Sequence, residues 1–230
     1  MELSKRLQAV ADLMEDGLIV ADVGTDHGYI PIYLLESGKS PKAFAMDINE
    51  GPLLRAKEHI AAHGLTDKIE VRLSDGVKAL SAGECEGVIV AGMGGALAVK
   101  IVTEGADVFK NLKMFVLQPQ SELDKVRQYL VDNAFQIIDE DMVLEDGKYY
   151  PMMKIVNGKS SEYSLSELRY GKCLLEKKHP ILKMFLEKEI KNKESIVKNL
   201  EQENGAHIES RMQELKKEID CAKDALNYYV

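Results

Sequence analysis

Apolar residues along this chain fall into two kinds of run. In residues 1–157 they gather in short blocks: 18-LIVADV-23, 42-KAFAMDI-48, 69-IEVRLS-74, 87-GVIVAG-92 and 113-KMFVLQ-118. Each block is β-branched or small-apolar and is followed by turn residues, the signature of a buried strand. Between most of them lie helical stretches such as 50-EGPLLRAKEHIAAHG-64, with Pro near its start and Gly at its end. Strands alternating with helical crossovers predict a parallel sheet covered on both faces. The end of this region departs from that rhythm. Two β-rich runs, 135–145 and 148–156, flank Asp146-Gly147, a strong hairpin signal.

The second kind of run begins after 157-NGKSSEYS-164. Leu182, Phe185, Leu186, Ile190, Ile196, Val197 and Leu200 form one apolar stripe at three-to-four-residue spacing. Ile208, Met212, Leu215, Ile219, Ala222 and Leu226 form another. Asn204-Gly205 between them suits a chain reversal. The expected organisation is an α/β domain over residues 1–160 and a coiled-coil-like helical hairpin over 161–230, with a shorter helix ending before Pro180.

Composition narrows the classes. The chain has 230 residues, 45% apolar and 30% charged, enough for one substantial core plus an appendage. No run approaches a membrane span, and the first residues lack the apolar core of a signal peptide, so the expected location is the cytoplasm. Three widely spaced cysteines suggest neither a disulfide framework nor a zinc site. His59 and His63 share a helical face without further ligand candidates and read as structural, so no metal is expected. Residues 1–160 carry 17 Lys and Arg against 25 Asp and Glu, while the remainder carries 13 of each. Bulk charge therefore excludes a non-specific nucleic-acid binder and leaves room only for a local basic face. Arg6, Lys177, Lys178 and Lys183 are candidates for it, with Lys5, Lys188, Lys191, Lys193 and Lys198; interleaved Glu residues make a merely solvated face an equal reading.

Ligands of open α/β sheets bind beyond the carboxyl ends of the strands. After the first strand come Asp22, Gly24, Thr25, Asp26, His27 and Gly28. Gly24 permits a tight turn and Gly28 a close helix packing. A dinucleotide fingerprint would place glycine where Asp26 stands, and Asp26 repels a pyrophosphate. A cationic ligand without phosphate, S-adenosylmethionine, fits better. Asp47, 23 residues beyond Gly24, suits the two ribose hydroxyls and is followed by Ile48. Asp75 and Gly76 suit an adenine amine and ring. Gly92 and Met93 offer close backbone approach and an adaptable apolar surface. A lone Asp after a strand is commonly a helix cap; four such elements after four successive strands point to one nucleoside. An NAD-binding oxidoreductase or sensor, and a non-catalytic protein acting through the helical hairpin, are the alternatives.

These residues carry a family likeness. The pieces 3-LSKRLQAVA-11, 21-ADVGTDHGYIPIY-33, Gly51-Pro52, 71-VRLSDG-76, 91-AGMGGAL-97, 117-LQP-119 and 145-EDGKYY-150 resemble the bacterial tRNA (adenine-N1)-methyltransferases that act on adenosine 22, the TrmK family. The chain departs from the family at Gln120, where Asn is frequent, and at Asp47, where Glu is frequent; the second change keeps the carboxylate. The resemblance implies a Rossmann-like S-adenosylmethionine-dependent methyltransferase sheet, mostly parallel and closed by an antiparallel hairpin, with a C-terminal helical hairpin. It implies a tRNA substrate; the lack of a membrane-span run leaves no membrane partner expected, and the sequence leaves the oligomeric state open, a monomer included. Adenine N1 is a free lone pair at neutral pH, so alignment and water exclusion matter more than a base. Asp26, His27, Gln118 and Pro119 are the candidates for the reacting centre. Asp26 suits either the cofactor's cation or the cationic product ring, and His27 either a ligand contact or a packing role. Tyr149 and Tyr150 are candidate stacking surfaces, one of them expected to point into the core.

Overall fold

The computed structural model describes residues 1–202 and 205–230. It divides into two compact units, Met1–Ser161 and Glu162–Val230. The first holds seven strands: β1 (Val20–Val23), β2 (Ala43–Asp47), β3 (Ile69–Leu73), β4 (Gly87–Met93), β5 (Met114–Pro119), β6 (Phe135–Glu145) and β7 (Lys148–Asn157). They form one sheet in the order β3-β2-β1-β4-β5-β7-β6. The first five run parallel, and β7 inserts antiparallel between β5 and β6.

Both faces of the inner parallel strands β1, β2, β4 and β5 are covered, which is why they read as continuous apolar blocks, while β3 at the sheet edge leaves Glu70 and Leu73 exposed. Helices α1 (Lys5–Asp12), α2 (Tyr29–Glu36) and α3 (Glu50–Ala62) precede α4 (Gly95–Glu104), α5 (Ala106–Phe109) and α6 (Leu123–Asp132). One core joins Ala9, Val10 and Met14 to Val20, Ile89, Val116 and Met152. Another joins Ile32 and Ala43 to Ala56, Ile60 and Ile69. Asp146 and Gly147 turn the β6–β7 hairpin with φ of 48° and 75°, and Glu145 pairs with Lys148 across it. Two successive positive φ values define the tight turn that Asp-Gly favours. Deep under this hairpin, Arg127 of α6 donates from Nε to Oε1 of Glu140 at 2.9 Å, both side chains fully buried.

The second unit is helical: α7 (Leu165–Tyr170), α8 (Lys172–Glu176), α9 (Pro180–Leu200) and α10 (Ala206–Leu226). The expected single short helix is two, broken at Gly171, whose φ of 97° no helix accommodates. Ser164 and Glu167 close a capping box at the start of α7, and Pro180 occupies the first turn of α9. Val197 packs with Leu215 and Ile219, and Lys223 pairs with Glu194 at 2.8 Å, so α9 and α10 run antiparallel. Asn204, expected to turn the chain, lies outside the described residues. Ile196 is exposed, not part of the stripe: Val197 beside it takes the inward position. Lys193, expected on a cationic outer face, is instead held by Glu189 and Glu218 within the unit.

Candidate active site

The carboxyl ends of β1 and β4 open on a cavity of about 240 Å³ in the sheet unit. Its wall brings together Asp22, Gly24, Thr25, Asp26, His27 and Gly92 with Arg6, Tyr29 and neighbouring apolar residues. β1 ends in a sharp turn at Gly24, with φ of 79°. A β-carbon there would also collide with the methyl group of Met93, which lies across the turn. Gly24 is therefore required by its backbone conformation, while the flexible end of Met93 would have to move aside for any side chain there. Gly28 starts α2 in a left-handed conformation and faces Ala56 and Ile60 of α3. No side chain caps α2, and Pro31 lacks an N–H, so the open donors of this helix end are few and lie close to the cavity.

Asp22 is the buried acid of the site, only 6% exposed. Burial pushes its carboxyl up to about 6; the Thr25 side chain opposes this and the Asp47 charge adds to it. Arg6 supplies the opposite charge. Its Nη1 donates to Oε1 of Gln118 at 3.0 Å, and its guanidinium lies 5.5 Å from the centre of the Tyr150 ring. Gln118 Oε1 also accepts from the N–H of Gly92 at 3.2 Å. Both neighbours of that oxygen can only donate, which fixes the orientation of the amide. Sequence reading placed Arg6 on an RNA-binding surface; the fold sets it in the cavity wall, because α1 packs against the hairpin where Glu145 Oε1 accepts from the Lys5 N–H at 2.7 Å.

Other expected residues take simpler partners. Asp47 accepts from the Asn49 N–H at 2.8 Å, and Ile48 beside it is 60% exposed. Asp75 pairs with Lys78, which also meets Glu104 at 2.9 Å, and Lys78, with Lys100 behind it, holds the Asp75 carboxyl below its ordinary value. Gly76, with φ of 62°, packs on Ile101. Pro119 closes β5 opposite Met93. Neither Tyr149 nor Tyr150 is buried, so the expectation that one points into the core fails; both stand near the hairpin turn, where the sheet is only half covered. Lys177, Lys178 and Lys183 belong to the helical unit, where Lys178 donates to the Val230 carbonyl at 3.1 Å.

Sequence reading overlooked Tyr29 and Arg55 and gave His59 no role beyond structure. His27 stacks on Tyr29 at 5.0 Å and on His59 at 5.1 Å, and His59 Nδ1 lies 3.1 Å from the His27 carbonyl. The DHGY run alone hints at Tyr29; His59 and Arg55 reach the site only because α3 packs against the loop and Gly28 at the start of α2.

A parallel sheet closed by an inserted antiparallel strand, with a cavity beyond β1 and β4, defines a Rossmann-like methyltransferase. The family model described as tRNA (adenine(22)-N(1))-methyltransferase, TrmK, matches residues 20–224. The tRNA (adenine(22)-N(1))-methyltransferase of Bacillus subtilis is 34% identical over 225 residues, 96% of this chain and 94% of that one. Two solved structures superpose closely. M. capricolum TrmK with S-adenosyl-homocysteine is 28% identical, with TM-score 0.85 and 99% of each chain covered. A Streptococcus pneumoniae protein with S-adenosyl-L-methionine is 33% identical, with TM-score 0.84, 98% of this chain and 100% of that one. The chain belongs to the TrmK family.

Proposed function

We propose that this protein transfers a methyl group from S-adenosyl-L-methionine to N1 of an adenine in tRNA, adenine 22, in the cytoplasm. The observation that carries this reading is a single cavity holding a buried carboxylate, Asp22, and a guanidinium, Arg6. A zwitterionic amino-acid end satisfies both charges at once, with Asp22 taking the ammonium and Arg6 the carboxylate. The residues fit the cofactor in other respects. Gly24 permits the tight turn that ends β1 at the cavity, Asp47 retains acceptor capacity for ribose hydroxyls, and Ile48 offers an apolar flank for a ring. Gly76, Gly92 and Met93 let the backbone approach closely, and Asp75 stays ionised beside Lys78.

When bound, the cofactor supplies an electrophilic methyl group on a sulfonium. The chain then has to hold the adenine unpaired, keep its N1 in line and keep water out. Gln118, at the end of β5 with Pro119, sits behind the cavity wall and holds two of its members, Arg6 and Gly92, in place. The carboxylates of Asp22 and Asp26 favour the positive charge that appears on the ring. Residues 1–161 thus carry the chemistry, and residues 162–230, with Lys177, Lys178 and Lys183, serve as an RNA arm.

The direct test is incubation with labelled S-adenosyl-L-methionine and unmodified tRNA, followed by nucleoside analysis. N1-methyladenosine at position 22 is expected, and Asp22→Asn abolishes it. Calorimetric binding of NAD with no binding of S-adenosyl-homocysteine would overturn the reading.

A further inference from the structure

Asp26, at the edge of the cavity, is already partnered. Its Oδ1 accepts from Nη2 of Arg55, and its Oδ2 lies 3.4 Å from His27 Nε2. The ion pair ties the loop after β1 to the helix after β2. Its side chains are 46% and 65% exposed, Arg55 and Asp26 respectively, so solvent screens the pair and makes exchange of partners easy. Asp26 belongs to the cavity wall and Arg55 does not, and the exposed Asp26 carboxylate is held at the rim by Arg55. The sheet region around them is strongly acidic and repels a polyanion in bulk. Individual cations beside the cavity therefore decide how a phosphate is met, and a guanidinium fork matches phosphate geometry.

We propose that Arg55 positions the substrate by exchanging partners. In the free protein it holds Asp26. When RNA arrives, Arg55 turns to a backbone phosphate beside the target nucleotide and releases the Asp26 carboxylate into the cavity. Asp26 then meets the adenine only when the RNA backbone is in place. The stack of His27, Tyr29 and His59 keeps the loop of Asp26 in position during the exchange, because His27 packs on α3 through His59 independently of Arg55. This inference rests on the tRNA methyltransferase reading and adds to it a residue that senses the RNA backbone.

The test compares wild type with Arg55→Ala, Arg55→Lys, Asp26→Asn and the Arg55→Ala/Asp26→Asn pair. The measurements are tRNA binding over a salt series, steady-state kinetics and calorimetry of S-adenosyl-homocysteine. Arg55→Ala should weaken tRNA binding about tenfold and lower the slope of log affinity against log salt by about one. Its affinity for S-adenosyl-homocysteine should stay within about twofold of wild type, since no phosphate contact is involved. Arg55→Lys should keep the salt slope but not the full affinity. Asp26→Asn removes the competitor for Arg55, so it should bind tRNA as tightly as wild type or more so while turning over more slowly. The Arg55 defect should persist in the double variant. An unchanged salt slope in Arg55→Ala, weaker tRNA binding by Asp26→Asn, or a defect that vanishes in the double variant would each show a mere tether and overturn the exchange. Those outcomes with an active wild type sink this inference alone; a wild type that makes no N1-methyladenosine brings down the functional reading as well.

Discussion

The sheet unit and the helical unit handle charge in opposite ways. In the sheet unit, ionisable groups are taken fully out of water: Arg127 and Glu140 between α6 and β6, and Asp22 at the end of β1. In the helical unit, Glu189, Lys193, Glu218 and Arg169 form a network that keeps one side in solvent. The reason is thickness. A sheet covered on both faces has an interior where a charge can be isolated, whereas two packed helices expose at least half of each. A buried charge is costly unless paired, so it persists where it fixes a geometry or serves a ligand. A half-solvated network contributes less and tolerates change.

The sharpest way to break this contrast is at Arg127. Arg127→Ala leaves Glu140 buried without its partner and should destabilise the sheet unit by about 3–5 kcal/mol in urea unfolding. Arg127→Met with Glu140→Leu should recover most of that loss; a single variant costing no more than an exposed ion pair would erase the difference between the units.

Asp22 gives the next effect, with a defined sign. Its folded carboxyl titrates at about 6 against an ordinary value of 3.8. The ionised form is thus disfavoured by folding, and stability on this account falls as pH rises between about 4 and 6, by about 3 kcal/mol in total. Asp22→Asn should flatten that dependence and raise stability at pH 7, measured by unfolding midpoints across the window. The same variant should lose affinity for S-adenosyl-homocysteine, and the wild-type affinity should rise with pH through about 6. The site accepts instability in order to bind.

The smallest effect sharpens the other side. Ser164→Ala removes one half of the capping box at α7 and should cost about 1 kcal/mol. Circular dichroism during thermal unfolding would detect it, and a loss several times larger would mean that the helical unit depends on its ends more than on its stripes.

Legibility in the sequence followed range of interaction. Four of the five parallel strands were readable because burial on both faces makes short unbroken apolar blocks, and the edge strand β3 was readable by its β-branched residues before a turn; the observed ends of all five fall within two residues of the blocks. Asp146-Gly147 announced the hairpin because a two-residue turn with positive φ admits few residue pairs. The glycines of the β1 loop were readable for the same local reason. The site was readable only in part. Asp22 and Asp47 stand where strand ends place them. Asp26 was read as a partner for the cofactor's cation or the product ring, and nothing near it in the chain reveals Arg55, 29 residues on. Arg6 looked like a surface cation because the packing of α1 against β6 joins residues about 140 positions apart.

The sequence by itself determined the alternation of strand and helix, the turn at Gly24, the hairpin at Asp146-Gly147 and the family to which the chain belongs. These rest on period and backbone conformation, which neighbouring residues set. Only the tertiary structure decided which polar groups meet: Arg6 with Gln118, Arg55 with Asp26, and Arg127 with Glu140. Ion pairs and burial depend on distances across the sheet, and a linear pattern carries no information about those until the chain has folded.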